Sequence, residues 1–430
     1  MSRSFLAHTA LSSAAVATLL LTGCDPICTD GVSRPGQGHV TRSASGTCVQ
    51  LVVTHPDAGA EGPDAGTDAG TGGDLCGSTE HGWTTQVVEE SIDTLISAFV
   101  FDAKGVGHYA FSKDAHLHVG TTRPGDVPTR VDSVWTFFDV NLAVGADGTH
   151  HVLFQYVNDT SYATDLGGTW TTRYLSPGWA RAIALDAQDR PHVLIARLAP
   201  KGGYLLGTVS ATGAWTLTPL DELGLDGDRE RMAVDANGHV HIVFARLSGG
   251  TPKLVYASNA SGAWVSEPLE QELPLGSPRL RVALEVDAAG RPSLLGSDDA
   301  GAWLLTKEDS GWKSYPLGAY RSRGPALARS ATFPDLRHAL LDDADVDANV
   351  NGSTSQLVVR TLHGTSPVGT TPPLVLETRD GGNALPGPSA VHVDDQDRIQ
   401  VGFTYVHYDY PSDGGPAVMT RGMRYARYCP

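Results

Sequence analysis

Short apolar runs alternate with short polar turns along most of this chain. Four stretches show the pattern best: "FVFDAKGVGHYAF" (99–111), "LAVGADGTHHVLF" (142–154), "IALDAQDRPHVLI" (183–195) and "MAVDANGHVHIVF" (232–244). Each apolar run is too short for a helix and is bounded by Asp, Asn or Gly, so each stretch predicts a β-hairpin. A histidine stands six residues after the position that opens the turn, in the pairs Asp102 and His108, Gly145 and His151, Asp186 and His192, and Asp235 and His241. Weaker copies occupy 282–296 and 390–403, and the most degenerate occupies 326–341, which makes seven hairpins.

A second pattern follows most of them. "SYATDLGGTW" runs to Trp170, "GTVSATGAW" to Trp215, "LVYASNASGAW" to Trp264 and "LLTKEDSGW" to Trp312. This predicts a third strand, a turn and a fourth strand opening on Trp. Trp135 is read as opening the fourth strand of the first unit, and "PPLVLETRD" (372–380) as the fourth strand of the sixth. Four-stranded units repeating every 40 to 60 residues or so predict an all-β, seven-bladed β-propeller. The seventh hairpin is followed by a third strand, "AVMTRGMRYARY" (417–428), but no fourth. "GWTTQVVEE" (82–90) stands alone before the first hairpin and matches "GTWTTRYLS" (168–176). The N-terminal strand is therefore expected to complete the last blade, which removes the exposed sheet edges of an open ring.

Composition agrees with many short strands and tight turns: 49 Gly, 26 Pro and 41% hydrophobic residues among 430. The net charge of −17 repels phosphate backbones and argues against nucleic-acid binding. No Ser-His-Asp signature, phosphate loop, nucleotide fingerprint or CxxC pair is present.

The N-terminus carries Arg3, an apolar run and then "LTGC" (21–24). This resembles the lipobox of bacterial lipoproteins. The resemblance implies a signal peptide over 1–23, diacylation of Cys24 and attachment to a membrane of the cell envelope, with the remainder outside the cytoplasm. A plain secretion signal with a coincidental cysteine is the blander alternative. Residues 24–54 form a Cys-bounded segment, and 55–75 an Asp/Ala/Gly-rich flexible linker. Such stalks are similar to those of many myxobacterial lipoproteins. The propeller then spans 76–430. With Cys24 lipidated, four cysteines remain and three pairings are open. Cys28 with Cys48 closes a small loop. Cys76 with Cys429 would seal the ring, because the two flank strands expected to be neighbours.

Several motifs invite a functional reading. The turns "TDLGGTW" (164–170), "SNASGAW" (258–264) and "SDDAGAW" (297–303) resemble contracted Asp-boxes of sialidase-type propellers, where they are structural turns. That family has six blades, so no sialidase activity follows by default. The recurrent histidines suit a metal, but their equivalent places in different blades favour structural Asp–His hydrogen bonds instead. Arg181, Arg231 and Arg281 recur where innermost strands begin and could converge on a carboxylate or sulfate. Trp179 lies on the same kind of crossover and could stack on a sugar face; the competing expectation pairs the arginines with Asp228 and Glu230. In "DVDANVNG" (345–352), Asp345, Asp347, Asn349 and Asn351 match the first half of a calcium loop without its closing Glu.

The sequence thus predicts a monomeric, envelope-anchored propeller that binds a glycan or protein without catalysis. The alternative is a glycan-acting hydrolase or lyase working in the funnel, and a purely structural envelope component is the third reading.

Overall fold

The computed structural model describes residues 40–42, 48–50, 82–90, 92, 97–135, 138–198, 202–223, 227–248, 251–272, 281–298, 301–320, 324–330, 335–343, 355–376, 389–394, 398–409 and 418–429. The chain divides into two compact units, Met1–Ala69 and Gly70–Pro430. In the first, a short hairpin pairs Val40–Arg42 with Cys48–Gln50, placing Cys48 opposite Arg42. Cys24, Cys28 and Cys76 lie outside the described residues, as does the proposed calcium loop at 345–352. Among the described residues no helix is long and apolar enough to cross a membrane.

The second unit is a seven-bladed β-propeller, each blade an antiparallel sheet; in blades 1 to 6 the strands run in chain order from the inside out, and in blade 7 the outermost strand comes from the start of the unit. The first strands of the blades are Ala98–Phe101, Phe138–Val144, Trp179–Leu185, Gly227–Val234, Arg281–Val286, Ala326–Arg329 and Ser389–Val393. Each of them contacts the next, and the last contacts the first, so they close a ring. Every first strand begins at the crossover from the preceding blade and ends at a hairpin turn. The ring therefore has a crossover face and a turn face.

Four of the hairpin turns are each built by one carboxylate. Asp102, Asp186, Asp235 and Asp287 accept, on Oδ1, the backbone N–H groups two and four residues on, at 2.8–3.0 Å. Oδ2 then takes a side chain across the turn, such as Arg190 on Asp186 at 2.8 Å and His239 on Asp235 at 2.9 Å. Blade 2 has Gly145 in place of the aspartate. There Asp189, from the turn of blade 3, reaches over and accepts Ala146 N–H at 3.1 Å.

The layers between blades are apolar, as the two-residue alternation of the strands requires. Between blades 3 and 4, Leu194, Leu206, Ile242 and Phe244 are buried together. The recurrent histidines join these layers. His151 Nδ1 is 2.5 Å from the Tyr162 hydroxyl, and Tyr162 meets Trp215 of the next blade edge-on at 5.0 Å. His241, Tyr256 and Trp312 repeat the arrangement two blades later, at 2.5 and 5.2 Å. A histidine of the second strand, a tyrosine of the third and a tryptophan opening the neighbour's fourth strand thus act as one inter-blade unit.

Blade 7 is completed by Gly82–Glu90, which pairs with Val418–Cys429 and sets Gly82 opposite Cys429. Cys429 is buried, at 3% exposure. Phe99 of blade 1 wedges against Gly402 of blade 7 and Gly107 of its own blade, where a Cβ would overlap its ring.

Three local expectations differ from the structure. Trp135 ends the fourth strand of blade 1, Thr129–Trp135, rather than opening it. The fourth strand of blade 6 is split into Ser366–Thr370 and Leu374–Leu376, both paired with Ser355–His363. Pro372 and Pro373 interrupt it because neither has an N–H to donate, and the freed Pro372 carbonyl accepts the Trp83 indole N–H at 2.7 Å. The turn in "SDDAGAW" joins the second and third strands of blade 5, since Asp298 pairs with Gly301 and Trp303 lies within the third strand. It is a different turn from those at 164–170 and 258–264.

Candidate functional site at the crossover rim of blades 2 to 4

Three innermost strands carry a β-bulge near their crossover ends. The register shifts between Phe138 and Val140, between Ala180 and Ala182, and between Asp228 and Arg231. A bulge leaves a residue unpaired and re-aims its side chain. The residues so released are Asp139, Arg181 and, within the third bulge, Glu230. Arg181 lies between the two carboxylates, with Nη1 3.7 Å from Asp139 Oδ2 and Nε 3.7 Å from Glu230 Oε2. One arginine thereby links three blades.

Exposure is graded across this cluster. The Glu230 side chain is 2% exposed, Arg181 18% and Asp139 36%. Burial pushes the Glu230 carboxyl above its ordinary range, and the Arg181 charge only partly offsets this. Trp179, the first residue of the innermost strand of blade 3, is 42% exposed, and the Arg181 guanidinium lies 5.0 Å from its ring centroid. The crossover that delivers Trp179 is fixed: Gly178 N–H donates to the Asn158 carbonyl at 2.7 Å, and the Thr160 hydroxyl to the Gly178 carbonyl at 2.8 Å. A Cβ on Gly178 would meet the Ala196 carbonyl oxygen at 2.5 Å, so this close approach needs glycine.

Next to it, Val157 has φ +53°, rare for a β-branched residue, in the exposed turn after Tyr156. Its carbonyl accepts the Gln155 side-chain amide at 2.6 Å. The rim thus presents Tyr156, Val157 and Trp179 beside the Asp139–Arg181–Glu230 cluster.

The arginines singled out in the sequence occupy different registers. Arg181, Arg231 and Arg281 stand five, four and six residues before Asp186, Asp235 and Asp287. Arg181 is on a bulge. Arg231 is paired in register with Val243, and its Nη1 donates to the Glu230 carbonyl at 2.8 Å. Arg281 pairs with Ser297 through its backbone, and its side chain lies outside the described residues. Asp139 carries no motif in the sequence, and Glu230 stands there only as a salt-bridge partner of the arginines. Glu230 was findable, because it stands five residues before Asp235 as Arg181 does before Asp186.

The histidines form no metal centre among the described residues, where no group of three or more His, Cys, Asp or Glu is placed to hold an ion. Asp–His contacts span three turns, at 3.4 Å for His108, 3.5 Å for His192 and 3.6 Å for His241. In blade 2, which lacks the aspartate, His151 has Tyr162 instead.

No family model matches the chain, and no curated protein matches it. Among solved structures it is similar to an ulvan lyase, from a new family of polysaccharide lyase, bound to -[GlcA(1-4)Rha3S]-. That likeness has 10% identity over 77% of this chain and 93% of the other, with a TM-score of 0.49. A protein of unknown function from Dyadobacter fermentans is similar at 14% identity over 80% and 99%, with a TM-score of 0.43. A subtype N11 neuraminidase-like protein is similar at 10% over 81% and 94%, with a TM-score of 0.39.

Proposed function

We propose that this propeller is a non-enzymatic binding module that recognises a glycan at the crossover rim of blades 2 to 4, displayed from a lipid anchor on a bacterial cell envelope. The observation that carries the reading is Trp179: a large aromatic ring left 42% exposed at the start of an innermost strand, held by a glycine crossover and backed by Arg181. An exposed indole on a rigid strand offers a stacking surface at little entropic cost.

A hydrolase or lyase reading has one point in its favour. Glu230 has a raised pKa, and Asp139 is a second carboxylate on the same arginine. Acid–base work needs such a split pair, but also a carboxyl within hydrogen-bond reach of substrate. At 2% side-chain exposure, Glu230 is sealed behind Arg181. The cluster is therefore read as a support for the rim.

The test is binding of the full chain to a glycan array, beside Trp179→Ala. Binding that is lost in the variant, with no new reducing ends or unsaturated products, supports the reading. Turnover of a bound glycan, or no glycan binding at all, overturns it. Lipidation at Cys24 predicts fatty-acid labelling that Cys24→Ser abolishes. Calcium at Asp345, Asp347, Asn349 and Asn351 predicts a calcium-dependent rise in melting temperature that Asp347→Ala removes.

A further inference from the structure

Resting on that glycan-site reading, we infer that the rim selects uncharged sugars and rejects uronate-containing or sulfated ones. The argument is the state of the charges around Trp179. An arginine recruits an anionic ligand when its fork is open to bidentate contact. Arg181 already stands 3.7 Å from each of two resident carboxylates. One of these, Glu230, is buried and cannot swing out to make room. Arg231, the neighbouring cation, is tied through Nη1 to the Glu230 main-chain oxygen. An acidic sugar would meet a guanidinium whose charge these two carboxylates already offset, with the Asp139 carboxylate beside it as a repelling neighbour.

The group that does face a ligand is Asp139, the most exposed member of the cluster. Its carboxylate accepts hydrogen bonds from sugar hydroxyls and repels a second anion. A cationic ligand is disfavoured for a different reason, since the Arg181 guanidinium already lies against the Trp179 ring. What fits is a ligand with an apolar C–H face for the indole and hydroxyl donors for Asp139, which is a neutral pyranoside. Rejection here comes from a repulsive element as much as from an attractive one.

The experiment compares affinities of the full chain for neutral oligosaccharides found on the array and for length-matched uronate-containing or sulfated ones. Neutral ligands should bind tighter by about tenfold or more, the scale of one unfavourable charge contact. Asp139→Asn should narrow that preference, because it removes the repelling charge while leaving an acceptor. Trp179→Ala should cost about tenfold for neutral ligands, with Trp179→Phe retaining part of the binding. Circular dichroism confirms folding of each variant. Tighter binding of acidic glycans that still depends on Trp179 would overturn the inference and leave the glycan-site reading standing. An unchanged preference in Asp139→Asn also overturns it. Binding that is unchanged in Trp179→Ala sinks both.

Discussion

His108 Nδ1 of blade 1 lies 2.8 Å from His150 Nε2 of blade 2. The pair is flanked at both ends by carboxylates: His150 Nδ1 is 2.7 Å from Asp165 Oδ2, and His108 Nε2 is 3.4 Å from Asp102 Oδ2. One of the two facing nitrogens must donate and the other accept, so the hydrogen bond that joins the two blades needs one imidazole of the pair to be unprotonated at that nitrogen.

This relay predicts acid sensitivity. Burial lowers the His108 pKa first, the neighbouring His150 lowers it further, and Asp102 opposes both, as Arg123 adds a smaller lowering effect. Asp165 faces the pair from blade 2. A histidine with a depressed native pKa binds its proton in the unfolded chain first. Stability is therefore full above about pH 6.5 and falls as the pH drops through that value. His151, His192 and His241 are lowered by burial in the same direction. The melting temperature should decline between pH 7.5 and 5.5, and less steeply in His150→Gln. Equal slopes in the two proteins would show that the relay contributes nothing.

The Asp turns predict a specific loss. Asp235 is buried and holds two backbone N–H groups at 2.8 Å each. Asp235→Ala strands those donors, at a cost of about 2–3 kcal/mol. Denaturant midpoints for the variant and for Asp235→Asn, which keeps an acceptor, measure it. A loss in Asp235→Asn as large as in Asp235→Ala would sink the account.

Gly402 predicts a steric limit at the seam. A Cβ there runs into the Phe99 ring between blades 7 and 1. Gly402→Ala should destabilise by about 1–3 kcal/mol, the range for overpacking a closed core. Phe99→Leu in the same chain should recover part of it. Failure of that rescue would place the strain elsewhere.

The seam also predicts one disulfide. Gly82 stands opposite Cys429, and Cys76 is six residues upstream, a reach of up to roughly 20 Å of extended chain. We propose Cys76 as the partner of Cys429, with Cys28 and Cys48 paired separately. Chain-entropy models give a loop this long about 6 kcal/mol of stabilisation. Peptide mapping without reduction should recover a Cys76–Cys429 fragment, and any other partner for Cys429 refutes the assignment.

What the sequence determined by itself is the repeat. Apolar alternation, Asp-opened turns and strand-opening tryptophans are local signals, since each depends on residues a few positions apart. They fixed seven blades, their order and the return of 82–90 to the last blade. Where the local signal was ambiguous, as at Trp135 and the paired prolines 372 and 373, strand boundaries came out differently. The rim was decided only in three dimensions. A bulge inserts one residue into a strand without marking the sequence, yet it changes which face a side chain takes. For that reason Arg181 meets Asp139 and Glu230 from neighbouring blades, while Arg231, one step out of register, turns to a main-chain oxygen. The histidines show the same division. Their spacing was legible, but the tyrosine and tryptophan that give them their role come from a neighbouring strand and the next blade, and only closure of the ring brings them together.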